Sequence, residues 1–211
     1  MARLRPGPLV PLGEDASPGR AARRLVRRAG EALVGRRVRL AGTVYLLLDV
    51  SASMADGGKM PELLRGAVRF FYEAWRRDYA VGVIGFAAAA RLLSGATRDA
   101  ARFQRCLSGL QPNGGTAMAA ALRLASDRLR HRRGDRLVLL ITDGMPDDAR
   151  AALDAAAHAR ALGITVTAVG TGSADEAFLR ALSLQPELAE VVGLDDFGDG
   201  IGRAADRLGD G

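Results

Sequence analysis

The alternation of strand-sized apolar runs with longer amphipathic stretches is the feature that most restricts how this chain folds. Such alternation is typical of α/β domains, in which helices cover a mostly parallel sheet. From residue 43 onward, the pattern predicts strands near 43–49, 80–86, 90–94, 136–142, 164–170 and 190–194. It predicts helices near 60–76, 98–108, 117–131, 147–162, 175–184 and 197–208.

The link between the second and third predicted strands determines the direction of one edge strand. It is the short stretch AAAA at 87–90, followed by RLLSG. This link is too short to contain a crossover helix, so the two strands must pair antiparallel. The other links are long enough for right-handed crossovers. The sequence therefore predicts a doubly wound α/β fold with a mostly parallel six-stranded sheet, one antiparallel edge strand and helices on both faces.

The first 42 residues differ from the rest in charge. They contain ten arginines and three acidic residues, whereas the whole chain of 211 residues has a net charge of +6. Ser17 and Pro18 are typical of a helix start, and an apolar stripe opposite a row of arginines follows them. We therefore expect a basic N-terminal tail with a short amphipathic helix over 1–42 and a main domain over 43–211. The stripe would pack on the main domain or a neighbouring subunit; contact with nucleic acid or an anionic membrane is the alternative.

Cysteine and histidine are scarce. Cys106 is the only cysteine, and His131 and His158 are the only histidines, which excludes an intrachain disulfide and cysteine-based zinc sites. No apolar run approaches the roughly 20 residues that span a bilayer, and the arginine-rich start lacks the apolar segment of a signal peptide. These features predict a soluble, cytoplasmic protein.

Three separate segments place oxygen-bearing side chains at predicted strand ends or helix starts. Asp49 closes the apolar run YLLLD and is followed by Ser51 and Ser53. Asp143 closes a second run, LVLLITD, and Thr116 precedes a predicted helix in PNGGTAM. Ligands of open α/β sheets bind at the carboxyl ends of the strands. If the strands that carry the two aspartates are neighbours with crossovers on opposite faces, their carboxylates share one crevice.

The chemistry of this set favours a hard divalent cation. Two neighbouring carboxylates repel each other unless a proton or a cation lies between them. The serine and threonine hydroxyls add neutral hard oxygens, and no thiolate or imidazole is at hand, so Mg²⁺ or Mn²⁺ suits the set better than zinc. Because Mg²⁺ prefers six oxygens, a carboxylate from outside would complete its coordination shell.

The motif DVSAS, the distant threonine and the distant TDG resemble the metal-ion-dependent adhesion site of von Willebrand factor A domains. The resemblance extends over about residues 43–208, and all five oxygen positions are filled. Ala52 departs from the family pattern, in which glycine is common at that position. The resemblance implies a metal contacted by three hydroxyls and, directly or through water, by two carboxylates: Ser51, Ser53, Thr116, Asp49 and Asp143.

The resemblance implies a binding module and not an enzyme, in which the metal captures an Asp or Glu carboxylate of a protein partner. Similar bacterial cytoplasmic stand-alone domains commonly act in larger assemblies, alongside AAA+ ATPases of the MoxR type or in stress-response systems. Such a component is therefore the expected partner. The loops around the metal would set specificity, and we assign partner contacts to Met54, Gly114, Gly115, Gly144 and Asp147.

Two other functions remain open. Asp49, at the tip of a strand, would serve as the nucleophile of a metal-dependent phosphohydrolase similar to the haloacid-dehalogenase enzymes. Ser51, however, stands where those enzymes have their acid/base aspartate. The third function is binding of nucleic acid or an anionic membrane by the arginine-rich tail.

Other conspicuous residues are assigned structural roles. Phe70, Phe71 and Trp75 lie at core-compatible spacing on the first long predicted helix and are expected in the core. Lys59, in DGGKM, invites comparison with a phosphate-binding loop, but the spacing of that motif is absent and Met60 replaces its hydroxyl residue. No phosphate-binding role is therefore predicted for Lys59.

Overall fold

The structure is a computed structural model that describes residues 40–183 and 185–209. Its strands are β1 (Gly42–Asp49), β2 (Tyr79–Phe86), β3 (Ala90–Thr97), β4 (Asp135–Thr142), β5 (Thr165–Gly170) and β6 (Ala189–Val191). Its helices are α1 (Lys59–Arg76), α2 (Ala100–Leu107), α3 (Met118–Leu129), α4 (Ala149–Ala161), α5 (Glu176–Ser183) and α6 (Leu194–Arg203). Short 3₁₀ turns lie at Ala52–Ala55, Pro186–Leu188 and Ala204–Arg207.

The strands form one sheet in the order β3-β2-β1-β4-β5-β6. β2 and β3 pair antiparallel, and the other neighbouring pairs are parallel. This confirms the predicted doubly wound, six-stranded sheet with one antiparallel edge strand. β1 pairs with β4 from Gly42–Asp135 to Leu48–Ile141, so the two strands end side by side.

The alternating side chains of β1 separate two apolar layers. Val44, Leu46 and Leu48 pack in the layer that contains apolar residues of α1, α2 and α6. Tyr45 and Leu47 pack in the other layer, with α3, α4 and α5. All eight residues of β1 are buried, as expected for a central strand covered on both faces. The crossovers α1 and α4 therefore leave β1 and β4 on opposite faces, which makes the β1–β4 crevice the switch point of the sheet.

The two edges of the sheet are short or irregular. β6 has three residues, fewer than the stretch 190–194 predicted for it. β3 is longer than predicted, but its pairing with β2 contains two shifts of register. Arg91 and Leu92 on this strand are exposed.

The last helix begins earlier than predicted. The expected helix near 197–208 starts at Leu194 and ends in the 3₁₀ turn Ala204–Arg207. Asp195 and Asp196 occupy its first turn, where negative charge is favourable. These two acids, which follow Gly193 and Leu194, were the signal for the helix start, and apolar periodicity alone does not detect such a signal.

Trp75 is not in the core, contrary to the prediction. Phe70 and Phe71 are buried as expected, but Trp75 is 46% exposed. The buried face of α1 ends at Phe71 and Ala74, so Trp75 falls just beyond its margin. The Arg98 guanidinium lies 5.4 Å from the centre of the Trp75 ring, which is a cation–π contact.

The predicted N-terminal tail lies outside the described residues, apart from residues 40–42. Its amphipathic helix and the domain boundary at residue 42 therefore stay predictions. Among the helices that the structure describes, none has both the length and the apolar character needed to cross a membrane.

α1 and α6 approach each other closely at Gly66, so a larger side chain at this position should destabilise the fold. A methyl group on Gly66 would lie 2.7 Å from the Gly198 carbonyl oxygen and 2.7 Å from Ile201 Cβ. We expect Gly66→Ala to destabilise the protein by about 1–3 kcal/mol through overpacking, although alanine otherwise favours a helix by up to about 1 kcal/mol. Thermal unfolding measures the change. Gly95→Ala, where nothing lies within 4 Å, is the control, and an unchanged midpoint for Gly66→Ala would contradict the close packing.

Candidate functional site

Asp49 ends β1 with its side chain completely buried. Its Oδ1 accepts a hydrogen bond from the Ser51 backbone N–H at 2.8 Å. Its Oδ2 accepts a hydrogen bond from the Thr142 hydroxyl at 2.6 Å. Thr142 is the last residue of β4, so the pairing of β4 with β1 places this donor. The Asp49 carboxylate is therefore held in position through both of its oxygens.

A chain of hydroxyl groups connects the first segment with Asp143. The Ser53 hydroxyl donates a hydrogen bond to Asp143 Oδ1 at 2.7 Å. The Ser51 and Ser53 hydroxyl oxygens are 3.1 Å apart. Because the single Ser53 proton is directed to Asp143, Ser51 is the donor in that pair. Each of the two oxygens then keeps at least one lone pair that a cation can use.

Lys59 contacts two residues of the site, a contact that was not predicted for its side chain. Its Nζ lies 2.7 Å from Asp143 Oδ2 and donates a second hydrogen bond to the Ser53 carbonyl oxygen at 3.1 Å. Gly57 and Gly58 have φ angles of +64° and +82°, which glycine adopts without strain. The chain turns there and begins α1 beside the strand ends. This pair of glycines directly before Lys59 was the signal in the sequence.

Thr116 lies on a loop that backbone hydrogen bonds tie to the first segment. The Ala52 N–H donates to the Gly114 carbonyl oxygen at 3.1 Å. Asp147 holds Thr116 itself, because its Oδ2 accepts from the Thr116 N–H at 2.9 Å and its own N–H donates to the Thr116 carbonyl at 3.1 Å. The three predicted segments therefore meet at the carboxyl edge of the sheet.

Burial raises the pKa of Asp49 above its ordinary value of 3.8, because loss of water disfavours the ionised carboxylate. Hydrogen bonds from Ser51 and Thr142 oppose this shift, and the negative charge of Asp143 adds to it. Within the described parts of the chain, no three Asp, Glu, His or Cys side chains cluster as a metal site. A cation at this edge would therefore depend on the hydroxyls as well as on the two carboxylates.

Four of the five residues predicted to contact a partner reach the surface. Gly114 and Asp147 are exposed, and Gly115 and Gly144 are partly exposed. Met54 is the exception, because its side chain is completely buried and packs in the apolar layer beneath the loop. Its predicted place among the partner contacts is therefore wrong. The exposed residues of this 3₁₀ turn are Ala52, Ser53 and Ala55.

A cleft of about 340 Å³ borders the site on the side of β2 and β3. Its walls include Val50, which directly follows Asp49, and Asn113 from the Thr116 loop. Arg91 is the one charged residue of its lining. The cleft therefore lies beside two of the segments that carry the site, and it combines apolar walls with a cation.

The fold and this edge define a class of doubly wound α/β domains with an oxygen-lined site at the switch point of the sheet. Residues 44–145 match the family model of the von Willebrand factor type A domain. This stretch of the chain is therefore similar to a von Willebrand factor type A domain. No curated protein matches the chain.

Solved structures of low sequence identity share this fold. The pilus adhesin SpaC from Lactobacillus rhamnosus GG has a TM-score of 0.68 at 18% identity, over 82% of this chain and 30% of its own. The von Willebrand factor domain of the type V pili tip protein Mfa5 from Porphyromonas gingivalis has a TM-score of 0.72 at 11% identity. The match covers 80% of this chain and 95% of the Mfa5 domain. The conserved hypothetical protein BatB from Bacteroides thetaiotaomicron has a TM-score of 0.63 at 21% identity. The match covers 78% of this chain and 98% of BatB. The chain thus spans less than a third of SpaC.

Neutralising one of the two buried carboxylates tests the electrostatics of the site. We expect Asp49→Asn to raise the midpoint of thermal unfolding in EDTA, because it removes a buried charge whose hydrogen-bond donors are neutral. A gain of about 1 kcal/mol would appear as a rise of roughly 2–4 °C. The Thr142 hydroxyl would accept from the new amide and donate to the Gly144 carbonyl, which lies 3.2 Å away.

The control for this experiment is Asp199→Asn. The Asp199 side chain is 40% exposed and forms ion pairs with Arg65 and Arg69, so loss of its charge should leave the midpoint unchanged or lower it slightly. A lower midpoint for Asp49→Asn than for the wild type would contradict a burial penalty at Asp49.

Proposed function

We propose that this domain is a metal-dependent protein-interaction module that captures a carboxylate of a partner at a Mg²⁺ or Mn²⁺ ion. The observation that supports the proposal is the convergence of two buried carboxylates, Asp49 and Asp143, with the hydroxyls of Ser51 and Ser53 in one hydrogen-bonded group. Hard oxygens of this kind are the donors that both ions prefer. A complete adhesion-type site formed by these four residues and Thr116 is part of the proposal.

The residues fit such an ion in donor type and in the direction of their hydrogen bonds. Ser51 and Ser53 direct their protons along the chain that ends at Asp143, so their lone pairs remain for a cation. Thr116 would add a third hydroxyl from the loop that Asp147 anchors. Asp49 and Asp143 would hold the ion directly or through water. The bound ion would supply an open coordination position for the oxygen of the partner.

The surroundings of the site limit the chemistry of the partner. Asp147 is exposed beside Thr116, so a strongly acidic partner surface would be repelled there. The neighbouring cleft offers apolar walls next to Val50. We therefore infer a partner that presents a single acidic anchor with neutral or basic neighbours, one of which has a small apolar side chain for the cleft.

The setting of the domain is a further part of the proposal. SpaC is named as a pilus adhesin and Mfa5 as a type V pili tip protein, which supports an interaction role for a domain of this fold. A cytoplasmic bacterial assembly, with an AAA+ ATPase or a stress-response component as partner, rests on the family resemblance. Contact of the arginine-rich residues 1–42 with nucleic acid or an anionic membrane is the less supported alternative.

A phosphohydrolase with Asp49 as its nucleophile has less support than a binding module. Both Asp49 oxygens accept hydrogen bonds, and the residue has no exposed surface, which disfavours attack of either oxygen on a phosphate ester, whereas a bare ion or a bridging water needs far less space. The position two residues after Asp49 is also occupied by Ser51, which cannot act as the acid/base carboxylate of such an enzyme.

Removal of one hydroxyl tests the metal site. Wild-type protein should bind one Mn²⁺ per chain, and Ser53→Ala should weaken that binding about tenfold or more, because a donor oxygen is lost. Ser53 is exposed, so the fold should remain intact. Electron paramagnetic resonance of free Mn²⁺ measures the affinity. Ser108→Ala removes an exposed hydroxyl at the end of α2 and should bind Mn²⁺ as the wild type does. A Ser53→Ala variant that binds Mn²⁺ as tightly as the wild type would contradict the site.

Capture of partners from the native lysate tests the interaction. Immobilised full-length chain with Mg²⁺ should retain proteins that EDTA releases, and mass spectrometry identifies them. Thr116→Ala should fold, because the residue lies on a partly exposed loop, and should fail to retain the same proteins. Retention that persists both in EDTA and with Thr116→Ala would contradict metal-dependent capture.

A further inference from the structure

Lys59 contacts the same residues that a metal ion would use. Its Nζ lies 2.7 Å from Asp143 Oδ2 and 3.1 Å from the Ser53 carbonyl oxygen. The Lys59 side chain is 18% exposed and that of Asp143 is 0% exposed. The ion pair is therefore shielded from water. Two charges in such a shielded place interact more strongly than on an open surface.

The two carboxylates of the site differ in how their charge is balanced. Asp143 accepts a hydrogen bond from Ser53 on one oxygen and pairs with Lys59 on the other. Asp49 accepts hydrogen bonds from neutral donors. Among the residues described by the structure, Lys59 is the cation that forms a salt bridge with either carboxylate. One ammonium thus offsets one of two buried negative charges.

We propose that Lys59 is a tethered cation that competes with the divalent ion and lowers the metal affinity of the site. The inference rests on the proposed metal site. An ion held by Ser53 and Asp143 would lie next to an ammonium that is bonded to the same two residues, and like charges in a partly buried site repel strongly. Either Lys59 gives up both of its bonds or the ion binds against this repulsion. Both routes weaken metal binding.

This competition links the binding of metal to the binding of a partner. A carboxylate from the partner adds negative charge to a site that would otherwise hold a divalent ion and an ammonium. The metal affinity therefore rises when the partner is present, and partner affinity rises with metal by the same factor. Lys59 makes the domain hold its ion weakly until the acidic anchor arrives.

Mn²⁺ affinities of the full-length chain and its variants test the role of Lys59. Lys59→Met removes the ammonium and keeps a long unbranched side chain, and we expect its Mn²⁺ affinity to rise at least tenfold. Lys59→Arg keeps the positive charge and should stay within about threefold of the wild type. Arg65→Met removes one charge from the exposed surface of the same helix and should change the affinity less than about twofold, because solvent screens it.

Thermal unfolding supplies a second measurement. In EDTA, Lys59→Met should unfold at a lower temperature than the wild type, because the buried Asp143 loses its counter-charge. Added Mn²⁺ should raise its midpoint more than that of the wild type, since stabilisation by a ligand grows with affinity. Lys59→Gln, whose amide still donates a hydrogen bond to Asp143, is the second neutral variant if Lys59→Met does not fold without metal.

The outcomes separate the role of Lys59 from the metal site itself. Mn²⁺ binding of equal affinity by the wild type and the neutral Lys59 variants would overturn the competition and leave the metal site in place. Absence of Mn²⁺ binding in every variant would overturn both. If Arg65→Met raises the Mn²⁺ affinity tenfold as Lys59→Met does, the effect comes from the overall charge of the protein, and this outcome would also overturn the proposal.

Discussion

The burial of two carboxylates at the ends of neighbouring parallel strands is the constraint on which the rest of this edge depends. Because β1 and β4 are paired, Asp49 and Asp143 finish side by side where little water reaches them. A buried negative charge is costly unless donors or cations surround it. Each adjoining segment supplies one or more of these groups: the Ser51 amide, the Thr142 hydroxyl, the Ser53 hydroxyl and the Lys59 ammonium. The polarity of the loops thus follows from the topology of the sheet.

The topology was largely predictable because it depends on local patterns. The apolar runs that end at Asp49 and Asp143 are continuous, which is typical of strands covered on both faces. The short AAAA link left an antiparallel hairpin as its only connection. Parallel strands place their carboxyl ends on one edge, so three distant segments were expected to meet there, and the structure shows that they do. The hydrogen bonds among Asp49, Ser51, Ser53 and Asp143 agree with that expectation, while their ligation of a metal stays a prediction.

Lys59, Met54 and Trp75 were misassigned because their positions depend on neighbouring elements. The turn at Gly57 and Gly58 starts α1 at Lys59, next to Asp143. The spacing of apolar residues along one helix or strand does not indicate that the chain comes back to a residue so distant in sequence. The 3₁₀ turn after Ser51 directs Met54 into the apolar layer, although its sequence neighbours are exposed. Trp75 lies one position beyond the last buried residue of α1. The end of the buried face depends on how the helix packs against the sheet, and not on how apolar the next side chain is.

The irregular edges of the sheet affect how copies of this domain behave when they are crowded. A long, flat edge strand invites another chain to add a strand, and natural proteins avoid this with short strands, charges and bulges. Here β6 offers three residues, and β3 combines two register shifts with the exposed Arg91. Edge-to-edge polymerisation is therefore disfavoured. Copies of the domain can therefore lie close together without merging their sheets.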